Sequence, residues 1–207
     1  MNKIIAVAAA VVLSLAASAA QAQSPTPQPK LVAPTGVGGC IYRSIPAAVS
    51  REAVTAILSH TSSVKVLREP IAAIAPKCTG RPFSDSDPDP AVVGSVMSVY
   101  ARMVAAFALG SQLQLPERRL YEAWAAATPD EKAPFVASAR SFLQPGVTFA
   151  AAKPEAAAPF VQRLGIGAQA QGPTVPQLVH MYYSAMALNE LAEANLTARG
   201  ASATENR

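Results

Sequence analysis

The sequence predicts an all-α fold: a single-domain bundle of about six or seven helices, preceded by an extended segment rich in Pro and Gly. Apolar residues recur at three- and four-residue spacing in one segment after another, as one face of an α-helix requires. Helix-start signals precede several of these segments, and no stretch shows the period-two alternation of a strand. We divide the chain into a signal peptide (1–22), an extended lead-in (23–43), a helical domain (44–200) and a disordered tail (201–207).

The first 22 residues have the three parts of a bacterial secretory signal peptide. Lys3 supplies the positive charge, and residues 4–15 are apolar apart from Ser14. Ala20-Gln21-Ala22 then matches the small-x-small pattern that signal peptidase recognises. We therefore expect cleavage near Ala22 and a mature protein that is periplasmic or secreted.

Helical periodicity first appears in residues 44–58 and, less regularly, in Val64–Ala75. Asp89-Pro90 combines an N-cap with Pro at the first helical position and predicts a helix over Ala91–Gln112. That helix is apolar over most of its circumference and is the best candidate for a membrane span in the mature chain. A charged residue, Arg102, lies past its middle and favours a buried core helix instead.

The second half of the chain carries the clearest helix signals. A helix over Pro116–Ala127 is followed by Thr128-Pro129-Asp130-Glu131, a capping-box pattern that predicts a helix ending at Leu143. The last helix, Val175–Arg199, ends before Gly200. It and Ala91–Gln112 are the two most apolar helices, so we expect them at the centre of the bundle.

A local similarity links residues 129–136 and 154–161, which both place an acid after a Pro and end in Ala-Pro-Phe-Val. It indicates either a duplicated helical unit or a helix-start pattern used twice.

Two cysteines, Cys40 and Cys78, remain after the leader. An even count in an oxidising compartment predicts an intramolecular disulfide between them. Residues 37–40 also resemble a lipidation motif, but the Pro-rich stretch before them separates them from the apolar leader and favours the disulfide.

Few residues are candidates for chemistry. Arg102 either pairs with an acid, reaches water from the rim, or binds an anionic group of a ligand. His180 is a packed or rim histidine, a base, or a metal ligand with Met181; adjacent helix positions point about 100° apart, which disfavours a shared metal. Tyr183 belongs to a group of aromatic residues that line either a pocket or the core. We expect no metal site and no cofactor.

Charge and motifs exclude several classes of protein. The chain has 17 Lys and Arg against 13 Asp and Glu, without a basic run that would bind nucleic acid. Residues 85–89 resemble the start of a Ca²⁺ loop, but Pro90 stands where Gly is required and Val96 where the bidentate Glu is required.

The sequence leaves two classes of function. The first is an exported, non-catalytic protein that binds a protein partner or an apolar small ligand, or has an envelope-associated role. The second is a periplasmic enzyme whose site assembles from dispersed residues around His180 and Arg102, with Glu122 and Tyr183. A cleft where His180 and Arg102 converge favours the enzyme, and a filled bundle with an apolar outer groove favours the binding protein.

Overall fold

A computed structural model describes residues 31–32, 35–45, 72–81, 89–144, 146–168 and 174–199. No strand occurs within these ranges, and the prediction of an all-α, single-domain fold is confirmed. The described helices are α1 (Gly36–Ser44), α2 (Pro90–Leu113), α3 (Glu117–Ala125), α4 (Pro129–Leu143), α5 (Ala158–Arg163) and α6 (Thr174–Ala198), with a 3₁₀ helix at Pro154–Ala157 and helical residues 72–79.

Several sequence predictions concern residues outside these ranges. They include the signal peptide (1–22), the first part of the lead-in, residues 46–58 of the helix over 44–58, most of Val64–Ala75, residues 85–88 of the Ca²⁺-like loop and the tail.

The centre of the bundle is the pair α2 and α6, which pack against each other along most of their lengths. They run antiparallel, because Ser98 contacts Asn189 while Arg102, one turn further along α2, contacts Tyr182. At Gly94 the packing is close enough that a Cβ atom would lie 3.1 Å from side-chain atoms of Leu143 and Leu188. The predicted central position of these two helices is confirmed.

The helix α2 is also long and apolar enough to cross a membrane, by length and composition. Of its most apolar window, 78% is buried inside the protein. Burial of this kind is what the core helix of a bundle shows.

Two of the predicted helix starts have the expected capping geometry. Asp89 accepts a hydrogen bond from Ala91 N at 2.9 Å, with Pro90 in the first turn. At α4 the capping box is complete, since Thr128 Oγ1 accepts from Glu131 N while Glu131 accepts from Thr128 N. Each contact satisfies a backbone N–H that a helix leaves unpaired at its start.

The predicted extended lead-in is wrong for residues 36–43, which belong to α1. The glycines of this segment disfavour a helix by themselves. Tertiary contacts outweigh that cost, because Val37 and Ile41 are buried in the core and α1 packs against both α2 and α6. The helical domain therefore begins earlier than the predicted residue 44.

The predicted disulfide is confirmed. Cys40 of α1 is bonded to Cys78 in the helical residues 72–79, with the two Cα atoms 5.5 Å apart. The bridge joins α1 to a helix 38 residues further along the chain.

The two similar segments do not start in the same way. The first begins α4 with a capping box, whereas the second begins as the 3₁₀ helix and continues into α5 without a side-chain cap. Both nevertheless bury their Phe: the rings of Phe135 and Phe160 lie edge to face, 5.8 Å apart. The shared pattern thus delivers two aromatic rings to one core cluster.

Candidate functional site

The most polar part of the interior surrounds Arg102, whose exposed fraction is 3%. Its Nε and Nη2 atoms donate to Glu117 Oε1 at 2.9 and 2.5 Å. Tyr182 donates its hydroxyl hydrogen to the same oxygen, and burial raises the pKa of this tyrosine well above its usual value, against the opposing effect of the Arg102 charge. The buried cation is therefore neutralised by one carboxylate, and the neutral Tyr182 hydroxyl bonds to the same carboxylate oxygen.

The same pair of charges also holds the main chain at residues 31–32. Arg102 Nη2 donates to Val32 O at 3.0 Å, and Val32 N donates to Glu117 Oε2 at 2.6 Å. Leu31 is buried beside it, and its N–H lies 3.4 Å from the Tyr42 hydroxyl. The Nε and Nη2 donors of Arg102 are thus occupied by internal contacts, as expected of a structural ion pair.

Tyr183 belongs to a core cluster of aromatic rings. Its ring is stacked on Trp124 and lies 3.9 Å from the ring of Phe160, measured between centroids. Its hydroxyl donates to Leu120 O at 3.2 Å, and Trp124 Nε1 donates to Glu190 at 2.7 Å. Both polar tips are satisfied, so this cluster is a filled core.

His180 lies half-buried at the edge of that cluster. Its Nε2 is 3.0 Å from Ala152 O and its ring is 5.4 Å from that of Phe135. Burial lowers the pKa of this histidine, against the opposing effect of the Ala152 carbonyl and the charge of Glu155. The neutral ring therefore donates from Nε2 to a main-chain carbonyl.

His180 and Arg102 have separate sets of contacts. Tyr182, which bonds to Arg102, is two residues from His180 on α6, and such positions point to nearly opposite sides of a helix. The remaining residue of the enzyme hypothesis, Glu122, is exposed on α3 and pairs with Arg118 at 2.8 Å. The structure brings His180 and Tyr183 to the same ring, Phe135, but does not bring Arg102 or Glu122 to His180.

An apolar groove lies on the outer face of α4, and we call it the α4 groove. It holds about 580 Å³ and is open to solvent. Its floor consists of small or short side chains, among which Ala133 and Ala137 are exposed one turn apart. The residues that line it are Ala127, Pro129, Lys132, Ala133, Val136, Ala137 and Arg140.

Both charged residues of the α4 groove are cationic. The Lys132 ammonium lies 5.0 Å from the Trp124 ring centroid, which holds it at the edge of the groove. Arg140 is exposed, and no ionic partner for it occurs in the part of the chain that the structure describes. The acids of the same helix are Asp130, which does not line the groove, and Glu131, which pairs with Arg163 at 2.8 Å.

Sequence reasoning missed both Glu117 and the α4 groove. Glu117 is an acid in the first turn of a helix, where acids are common because they interact favourably with the helix dipole. Its position in the sequence therefore does not indicate that it is the buried partner of Arg102. The only indication of the groove in the sequence was the pair Ala133 and Ala137, which lies between the cations Lys132 and Arg140. No group of three His, Cys, Asp or Glu that could hold a metal occurs among the described residues.

Comparison with known proteins supplies no further assignment: no family model matches the chain, and neither a curated protein nor a solved structure is significantly similar to it.

Proposed function

We propose that this protein is an exported, non-catalytic binding protein of the bacterial envelope or periplasm, and that the α4 groove is its binding surface. The leader over residues 1–22 is the motive for export. The Cys40–Cys78 disulfide agrees with an oxidising compartment.

The observation that carries the proposal is the contrast between the interior and the α4 groove. Inside, Arg102, His180 and Tyr183 have all found partners within the protein. Outside, an open apolar surface with two cations is left uncovered by the described residues. Exposed apolar surface with a polar edge is typical of interaction sites.

The test is retention of a partner from an envelope extract by the mature protein. We expect a bound protein or small molecule, identified by mass spectrometry, that is lost from the Ala137→Trp variant because the indole fills the groove. Val147→Trp is the matched control, since Val147 is already exposed and does not line the groove. Equal retention by both variants excludes the α4 groove. Turnover of a substrate that is abolished by His180→Ala contradicts the non-catalytic role.

A further inference from the structure

We infer that the α4 groove receives an amphipathic α-helix that carries two acidic side chains about two turns apart. The inference rests on the proposed function, because it names the chemistry of the partner for the same surface.

The shape of the α4 groove favours a helix over a small ligand. Binding sites for small molecules usually enclose most of the ligand surface, which an open groove on one helix does not do. A second helix, in contrast, needs a shallow face with small side chains, so that the two axes approach to about 8–10 Å. Ala133 and Ala137 provide such a face on α4.

The charges set the chemistry of that helix. Lys132 and Arg140 are eight residues apart, which is about 12 Å along the axis of α4. They line the same groove as the alanines, and the groove contains no acid. Acidic residues seven or eight positions apart on a partner helix would meet both cations while its apolar face covers the alanines.

The same charges disfavour a second copy of this chain as the partner. If the groove of one copy faced the groove of another, the cations Lys132 and Arg140 would face cations in either helix direction. Like charges placed opposite each other oppose association.

The experiment is an amide NMR titration of the mature protein with three probes. Two are 18-residue helical peptides with the same Leu/Ala face, one carrying Glu and the other Lys at two positions seven apart. The third is sodium myristate. We expect the Glu peptide to shift the amides of Ala133, Val136 and Ala137 with a dissociation constant below about 1 mM. The Lys peptide should bind at least about threefold more weakly, as expected for the loss of exposed ion pairs.

Charge reversal at one residue supplies the decisive comparison. Arg140→Glu should weaken binding of the Glu peptide and strengthen binding of the Lys peptide, whereas Arg118→Glu, on α3 outside the groove, should leave both unchanged. Equal binding of the two peptides, shifts with myristate alone, or no shifts at all would each overturn the acidic-helix partner. The binding function itself is judged separately, by the envelope retention lost in Ala137→Trp.

Discussion

A buried arginine is tolerated in a protein interior only when its charge is neutralised and its N–H groups are bonded. Glu117 neutralises the charge of Arg102, and the Nε and Nη2 groups are bonded to Glu117, the Tyr182 hydroxyl and the carbonyl of Val32. Because Val32 N donates to Glu117 as well, the ion pair also fixes the chain that enters α1. One pair of side chains therefore links α2, α3 and α6 to the N-terminal segment.

Removing one member of this pair should destabilise the protein strongly. Glu117→Gln leaves Arg102 buried without a counter-charge, and we expect the free energy of unfolding to fall by about 3–5 kcal/mol. Urea denaturation of the two proteins measures this change. The exposed pair of Arg118 and Glu122 is the control, and Glu122→Gln should change stability by less than about 1 kcal/mol.

The double variant Arg102→Met with Glu117→Met separates an unpaired charge from lost packing. Without either charge, stability should recover most of the loss that Glu117→Gln causes. If the two variants are equally unstable, the cost lies in packing and main-chain contacts rather than in the unpaired cation.

At the scale of the element, α1 shows how tertiary contacts form a helix from an unfavourable sequence. Its N-cap, Thr35, makes no side-chain capping bond. The Glu193 carboxylate of α6 takes the place of that cap, because it lies at the start of α1 beside the main-chain N–H of Val37. Glu193 lies so close to Gly36 that a Cβ atom there would overlap Glu193 Oε1. Gly36, with φ at +60°, is thus required both for its backbone angle and for this contact.

The half-buried position of Glu193 predicts a pH dependence of stability. Burial raises the pKa of this carboxyl in the folded protein, against the opposing effect of the Val37 hydrogen bond. Its contribution to stability is therefore full below the unfolded pKa of about 4.3 and is lost as the pH rises through the folded pKa.

Glu193→Gln keeps an acceptor for Val37 N and removes the titration. The difference in unfolding free energy, wild type minus variant, should accordingly fall as the pH rises above about 4 and then level off. Denaturant titrations of both proteins at a series of pH values measure it. A difference that rises with pH would mean that the charged carboxylate is the favoured form.

The disulfide connects α1 to the helical residues 72–79 and restricts the unfolded chain across 38 residues. Cys40→Ser with Cys78→Ser should therefore lower stability by about 2–4 kcal/mol. The double variant avoids leaving a single reactive thiol. Denaturation of both proteins under non-reducing conditions measures this difference. We expect the wild-type protein, when denatured in strong reductant, to lose the same amount of stability as the double variant. No difference between wild type and variant would show that the helices are held by packing alone.

A helix could be predicted from the sequence when the residues that determine it lie close together in the chain. The starts of α2 and α4 are encoded locally, by Asp89-Pro90 and by the capping box at Thr128, and both were predicted from the sequence. The helix α1 was missed because its determinants, Glu193 and the buried contacts of Val37, come from distant parts of the chain. Local patterns carry no information about such partners.

At the scale of the whole molecule, the same distinction applies to the candidate site. The sequence pointed to Arg102, His180 and Tyr183 because their residue types are chemically capable, but the fold gives each an internal partner. The α4 groove depends on how α4 lies beside Ala127 and Trp124, which no residue spacing reveals. A surface formed by small apolar residues is visible only once the packing of the bundle is known.

Export remains a prediction, and it has two consequences that can be measured together: removal of the leader and formation of the disulfide. A chain cleaved near Ala22 in an oxidising compartment should have lost residues 1–22 and should contain the Cys40–Cys78 bond. We therefore expect the protein from the envelope or periplasmic fraction to have the intact mass of residues 23–207 less two hydrogens, and to resist alkylation until it is reduced.

The matched control is the same chain with Lys3→Glu and Leu13→Asp, which weakens the leader and should keep the full-length, alkylatable form inside the cell. A full-length mass in the envelope fraction, or free thiols in the folded cleaved protein, would contradict this account of where the bundle folds.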